Sequence, residues 1–324
     1  MAATDSPRAA PVAIGTPIPV RGKSNLMRQQ RLWGWIFLSP WIIGFVVFTA
    51  APIIASFIFT FTNFSLAEGA GISIADPLFS NWTRLFSDPV TLQALGVTIR
   101  FALIAVPIGI LVPLFLAAML NAKYLWGKRF WRPLFYMPYI IPAISGIFVW
   151  QSFLNGETGW LNRILRFIGI SDPPNWIFDE SWILVGFVLI GLWGVGNAML
   201  TMLATMQGVP TELYEAADVD GAGPLVKFMR ITIPLISPVI FYNLVLSVIG
   251  LMQYFVVPYV LTRGTGNPNN AAYFYNMHLY KTAFTFFDMG YGSTQAWFIF
   301  IIALILTIAL FATSRRWVYS SSGE

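Results

Sequence analysis

Six stretches of this sequence, at about 33–61, 96–120, 134–154, 182–207, 235–262 and 295–313, contain no Asp, Glu, Lys or His, and Arg100 is their single Arg. Crossing roughly 30 Å of hydrocarbon takes about 20 mostly apolar residues, and each stretch supplies them. Backbone in lipid must satisfy its own polar groups, which leaves helices or a closed barrel. Barrel strands alternate apolar and polar residues, and these runs do not. The expected fold is all-α: a polytopic membrane bundle of six transmembrane helices, with Arg100 at the mouth of the second.

The rest of the composition narrows function. Only 10% of the residues are charged against 57% hydrophobic, which excludes a nucleic-acid-binding module and most water-soluble enzymes. With no Cys there is no thiolate chemistry or disulfide framework, and the single His278 cannot build a histidine-rich metal site. His278 falls in the 263–294 loop and reads as a solvated residue. An intramembrane enzyme would need a nucleophile with a base, or paired acids, in the spans, and the spans hold none.

The charges that remain are segregated. Thirteen bases lie on one side: Arg8, Arg21, Lys23, Arg28, Arg31, Lys123, Lys128, Arg129, Arg132, Lys227, Arg230, Arg315 and Arg316. Six lie on the other: Arg84, Arg100, Arg163, Arg166, Arg263 and Lys281. The positive-inside rule then places both termini in the cytoplasm. Residues 1–31, with Pro7, Pro11, Pro17 and Pro19 among Ala, Ser and Arg, read as a disordered cytoplasmic tail. A six-span domain over 32–319 follows, and then a short tail over 320–324. The first apolar run is about twice as long as a signal-peptide core, so it reads as a span. Asn81-Trp82-Thr83 fits a glycosylation sequon on the outer side.

One cytoplasmic loop, 208–234, is unlike the others, because it holds Glu212, Glu215, Asp218 and Asp220 against Lys227 and Arg230. Thr211 is a candidate N-cap and the acids favour a helix N-terminus. Gly221 suits a left-handed C-cap. Pro224 suits the first turn of a second helix that ends before Pro234. Physically this is a short helix, a turn and a helix along the membrane face, with Ala216 and Ala217 exposed beside an acid. An ordinary amphipathic loop helix fits equally well.

Glu215-Ala216-Ala217, then Gly221, then Ile231, Ile233 and Pro234 resemble the EAA motif of ABC importer permeases, with Ile233 where Leu is usual. The flanking residues are similar to the carbohydrate-uptake branch that includes the maltose permeases. Phe37 to Pro40, Met137 to Pro142, Gly159 to Asn162, Leu261 to Gly264, Ala283-Phe284 and Met289 to Tyr291 extend the likeness over nearly the whole chain after the tail. The resemblance implies that 208–234 carries a coupling helix docking on a separate ATPase subunit. Glu215 would pair with a basic group there, Ala216 and Ala217 would allow close approach, and Gly221 would supply the turn. For Asp218 and Asp220, docking and helix-dipole roles are equal readings.

The same resemblance implies the partners: a homologous second permease, two cytoplasmic ATPase subunits, an extracytoplasmic sugar-binding protein and membrane lipid, with no nucleic acid. The sequence has no phosphate-binding G-x-x-x-x-G-K-[ST] loop, so no cofactor is expected on this chain, with ATP and Mg on the ATPase subunits and no enzymatic activity of its own. The implied location is a bacterial or archaeal inner membrane.

Spans that hold no ionisable residue beyond Arg100 at a mouth argue against ion-coupled transport and against a highly charged substrate. Neutral polar and aromatic residues stand there instead: Asn197, Asn243, Ser247, Gln253, Tyr254 and Tyr259. Such groups suit sugar hydroxyls and ring faces. By position relative to the motif, the resemblance adds Trp193, Gly194, Gly250 and Leu251 to Asn197, Ser247 and Tyr254 as substrate positions. Asn197, Gly250 and Leu251 depart from the maltose-type residues, so the pocket is remodelled and maltose is not implied. Packing or lipid contact accounts equally for Trp193 and Tyr254, an interhelical hydrogen bond for Asn243, and backbone bonding for Ser247. Pro107, Pro113, Pro138, Pro142 and Pro258 read as kinks. The alternative reading is a self-sufficient secondary carrier of a neutral polar solute, which should show inverted repeats or half-helices. Neither is visible in the sequence.

Overall fold

The computed structural model describes residues 23–319 apart from Ala70 and Lys123. The expected tails over 1–22 and 320–324 lie outside the described residues. The chain divides into two units, residues 1–55 and 56–324.

From the first unit, α1 (Lys23–Phe45) passes through a π-helical turn (Val46–Ala50) into α2 (Ala51–Phe59), whose residues from Ser56 on belong to the second unit, and Leu26–Phe59 is long and apolar enough to cross a membrane. Helix already covers Lys23–Arg31, which the sequence reading assigned to the tail. The prolines of that tail end at Pro19, and Leu26, Met27, Arg28, Gln29, Gln30 and Arg31 are good helix formers.

The second unit continues with α3 (Ser80–Ser87), α4 (Pro89–Asn121), α5 (Lys128–Ile140), α6 (Ala143–Phe153) and α7 (Trp160–Phe167). Next come α8 (Ile183–Trp193), α9 (Gly196–Gln207), α10 (Thr211–Val219) and α11 (Pro224–Lys227). A π turn (Phe228–Thr232) leads into α12 (Ile233–Met252), followed by α13 (Val256–Leu261), α14 (Tyr275–Tyr280), a second π turn (Lys281–Thr285) and α15 (Met289–Ser314). Among the described residues four helical runs are long and apolar enough to cross a membrane; α5–α6 and α8–α9 are bent pairs, at 104° and 52°, and make six if each pair is one span. Among the described residues there is no strand.

The axis of this unit is α4. It starts at Pro89 rather than near 96, because Asp88 caps it by accepting the Val90 amide at 3.0 Å and Pro89 fits the first turn. Arg100 therefore lies well inside the helix, and its Nε reaches back to the Gly96 carbonyl at 3.3 Å, the N-terminal lean of every helical side chain. Pro107 and Pro113 leave α4 unbroken, whereas Pro142 sits in the sharp elbow between α5 and α6. One apolar cluster gathers around Val97, Phe101, Ile183 and Phe187, and a second around Leu120, Met202, Met206 and Ile236, so the two halves of α4 each anchor a core. Gly196 lets α9 cross α5 at backbone distance: a Cβ there would stand 2.5 Å from the Phe135 carbonyl oxygen.

The loop helix forms differently from expectation at two points. Its N-cap is Pro210 with no side-chain cap, and Thr211 is the first helical residue. The second helix does not stop before Pro234 but runs on, so Pro224–Leu261 reads as one span. The π turn explains this. Ile233 donates to the Phe228 carbonyl five residues back, and the widened turn makes room for a proline ring that a regular α-turn would reject. Asn81, the sequon residue, is buried and donates to the Thr60 and Thr62 carbonyls at 3.1 and 2.9 Å, so it holds chain rather than glycan.

Candidate functional site

Between α4, α8 and α12 lies a cavity of about 320 Å³ lined by Phe101, Gly109, Phe187, Gly191, Ser247, Gly250, Leu251 and Tyr254, among others. No lining residue is ionisable at neutral pH. Four of the sequence-proposed substrate residues, Ser247, Gly250, Leu251 and Tyr254, meet here on successive turns of α12 and just beyond its end. The Ser247 hydroxyl makes no hydrogen bond among the described residues, contrary to the backbone-bonding reading. The Tyr254 hydroxyl is buried with no hydrogen-bond partner, while its ring packs 4.7 Å from Phe101 and 5.1 Å from Phe274, centre to centre. A buried hydroxyl left unpaired costs about 1–3 kcal/mol. A polar ligand in the cavity would satisfy it.

A neighbouring cavity of the same size continues past Tyr254 to the two broken spans, lined by Tyr139, Trp150, Gly191, Trp193, Gly194 and Tyr254. Gly194 lies in the α8–α9 break. The half-helices absent from the sequence reading are thus present, and they flank the cavities. Interrupted spans leave backbone groups free where a pathway passes. No sequence periodicity announces the break, but Gly191, Gly194 and Gly196 within one span did carry a signal.

The other proposed positions lie apart. Asn243 is buried and donates to Thr201 Oγ1 at 3.3 Å and to the Val239 carbonyl at 2.8 Å. It joins α9 to α12, as the interhelical reading has it. Asn197 and Gln253 are exposed and line neither cavity. Phe101 and Phe187 were missed because nothing distinguishes them from core aromatics in sequence.

At the C-terminal end of α4, the 208–223 loop presents α10. Glu215, Ala216, Asp220 and Gly221 are exposed and Ala217 half-buried. Gly221 has φ +72°, its amide bonds the Asp218 carbonyl, and the Ala222 amide bonds that of Ala217. This double closure needs a left-handed residue. Asp218 is taken by an ion pair with Lys227, whereas the Glu215 and Asp220 side chains make no ion pair among the described residues. Val219, 89% exposed, and Leu225, 73% exposed, add apolar surface that the sequence reading overlooked. Tyr214 ties α10 to the π turn through Thr232.

At the opposite end of α4 stands a buried polar cluster. Asp88 accepts from the Thr91 hydroxyl at 2.7 Å and the Tyr291 hydroxyl at 2.9 Å, and His278 Nε2 lies 3.4 Å away. Burial opposes ionisation of Asp88, but the hydrogen bonds from Thr91, Tyr291 and Val90, with His278, outweigh it and bring its pKa down to about 2. His278 is itself buried, not solvated, and burial lowers its pKa despite Asp88. Tyr273, five residues away, meets its Nδ1 at 3.3 Å, while Thr91 and Asp88, on the Nε2 side, stand nearly 190 residues away in sequence at the start of α4.

Residues 105–321, which hold both bent pairs, all of the cavity lining but Phe101, and the exposed loop, match the family described as "Binding-protein-dependent transport system inner membrane component". The chain belongs to this family. The permease is 35% identical to the probable ABC transporter permease protein YesP of Bacillus subtilis, over 93% of its own length and 96% of that protein's. It is 32% identical to the lactose transport system permease protein LacF of Rhizobium radiobacter, over 91% and 98%. In fold it is similar to a chain of a bacterial alginate ABC transporter solved with an alginate pentasaccharide-bound periplasmic protein: TM-score 0.75, 22% identity, covering 90% of this chain and 96% of that one.

Proposed function

We propose that this permease is the membrane subunit of an ATP-driven, binding-protein-dependent importer for a neutral sugar or oligosaccharide. The observation that carries the reading is the aromatic-lined cavity with no charged residue in its lining and with Ser247 and Tyr254 among its walls. Apolar walls with a few placed polar groups are what a sugar ring and its hydroxyls require. Gly250 and Leu251 line the same cavity and Trp193 and Gly194 its neighbour, whereas Asn197, Asn243 and Gln253, also carried from the sequence, line neither. Ser247 and Tyr254 have the strongest support, because their hydroxyls are unengaged. Relatives named for lactose and arabinooligosaccharide transport fit the same substrate class.

Energy enters from below. Glu215, Ala216, Ala217, Asp220 and Gly221 dock a cytoplasmic ATPase subunit, with Val219 and Leu225 as apolar contacts. ATP and Mg are held by the ATPase pair and not by this chain. Both termini and the 208–223 loop face the cytoplasm, a homologous permease supplies the other half of the pathway, and a binding protein delivers substrate to the outer end.

Co-purification in mild detergent tests the assembly. Recovery of an ATPase and a second permease with this chain is expected. A chain that purifies alone from cells expressing the whole system contradicts the reading.

A further inference from the structure

α7 is divided into three sectors around its axis. Leu161, Asn162 and Leu165 face inward: both leucines pack on the core cluster, and Asn162 is fully buried. Its amide donates to the Gly156 and Pro174 carbonyls at 2.8 and 3.0 Å, while its carbonyl oxygen accepts the Trp176 indole at 2.6 Å. Arg163 and Arg166 form a second, cationic sector. Trp160, Ile164 and Phe167 form the third. They lie one helical turn apart, and Phe167 is 91% exposed and Trp160 63% exposed.

A water-facing helix has no use for three exposed apolar residues in a row along its axis. A helix buried between proteins has no use for a cationic flank. Three sectors match three environments, and they meet at one place: where protein, acyl chains and headgroups adjoin. The chain path agrees. α7 follows α6 and precedes α8, both halves of spans, at the end of the bundle away from the 208–223 loop. The exposed Ile144 and Phe148 of α6 extend the same kind of apolar surface. Trp with a cation beside it is the usual occupant of this depth, and the Arg163 guanidinium stands 5.3 Å from the Trp160 ring. Arg166 is fixed by the Gly156 and Glu157 carbonyls, which aims the cationic sector.

We propose that α7 is an interfacial lipid anchor: Trp160, Ile164 and Phe167 sit in the boundary between headgroups and acyl chains, and Arg163 meets lipid phosphate.

The absence of cysteine makes a direct test available. Phe167→Cys, Ile164→Cys and, as a loop reference, Asp172→Cys are spin-labelled singly in the full transporter in liposomes, the partners' cysteines having been substituted. Oxygen should relax the labels at 164 and 167 more than a water-soluble nickel chelate does, with the reverse at 172. Greater relaxation by nickel at 167 overturns the proposal. So does an immobile label that neither reagent reaches, because a protein partner then covers the face. Adding Arg163→Glu should shift the label at 167 toward the nickel reagent; no shift removes the phosphate contact.

Discussion

The Tyr214 hydroxyl lies 2.8 Å from Thr232 Oγ1, so the exposed helix α10 is tied to the turn from which the Pro224–Leu261 span rises toward the cavity. Tyr214 is half-buried and Thr232 buried. A push on α10 is thereby delivered to α12, which carries Ser247 and leads to Tyr254. Tyr214→Phe removes one hydrogen bond, worth about 1 kcal/mol, and should leave the fold and ATPase docking in place. The expected result is several-fold less substrate moved per ATP hydrolysed, read in proteoliposomes.

Glu215→Lys alters an exposed side chain that has no partner among the described residues, so thermal stability should not change, while ATPase recovery on co-purification should fall sharply. Gly221→Asp strains a left-handed position by about 1–2 kcal/mol and should loosen α10 as well as uncouple uptake. Uptake surviving both substitutions would remove the loop from the coupling account.

The Tyr254 hydroxyl is buried without a partner, so Tyr254→Phe should leave the melting temperature of the empty transporter unchanged or raise it. Apparent KM for uptake should rise by about five- to tenfold, the loss of one hydrogen bond. A drop in stability with unchanged KM would make the ring's packing the residue's whole role.

Asp88 and His278 make stability depend on pH with one sign. Each has a folded pKa below its ordinary value, so each favours the native state most when deprotonated. The contribution of His278 is present above about 6.5 and fades as pH falls through its lowered value. That of Asp88 is present above the ordinary carboxylate value of about 3.9 and fades as pH falls toward about 2. Arg84 and Lys281 stand near His278, and Asp288 is ion-paired with Arg84. Melting temperature should fall on acidification below 6.5, and His278→Gln should flatten that part of the curve.

The spans were legible because water tolerates charge and hydrocarbon does not, and six long apolar runs with Arg100 as their single charge left little choice. Gly221 was legible because a turn with φ above zero selects glycine. The continuity through Pro234 was not, since a π turn is a backbone solution that no side chain announces. The break at Gly194 also escaped, because half-helices of one span look alike in composition. His278 was misread for a further reason: its burial depends on Thr91 and Asp88, contacts that only folding brings together. In the cavity, Ser247 and Tyr254 stood out as polar groups in an apolar run, whereas Phe101 and Phe187 did not. Asn243 shows the opposite error, a polar residue whose partners are helices rather than ligand.

The central claim is that this chain is a passive pathway driven through its 208–223 loop. Uptake of a labelled neutral oligosaccharide into liposomes holding the complete transporter, with binding protein outside and ATP inside, tests it most directly. The account predicts uptake that vanishes without ATP, and vanishes with ATP in Glu215→Lys. Transport by this chain alone, without ATP or partner subunits, would contradict it.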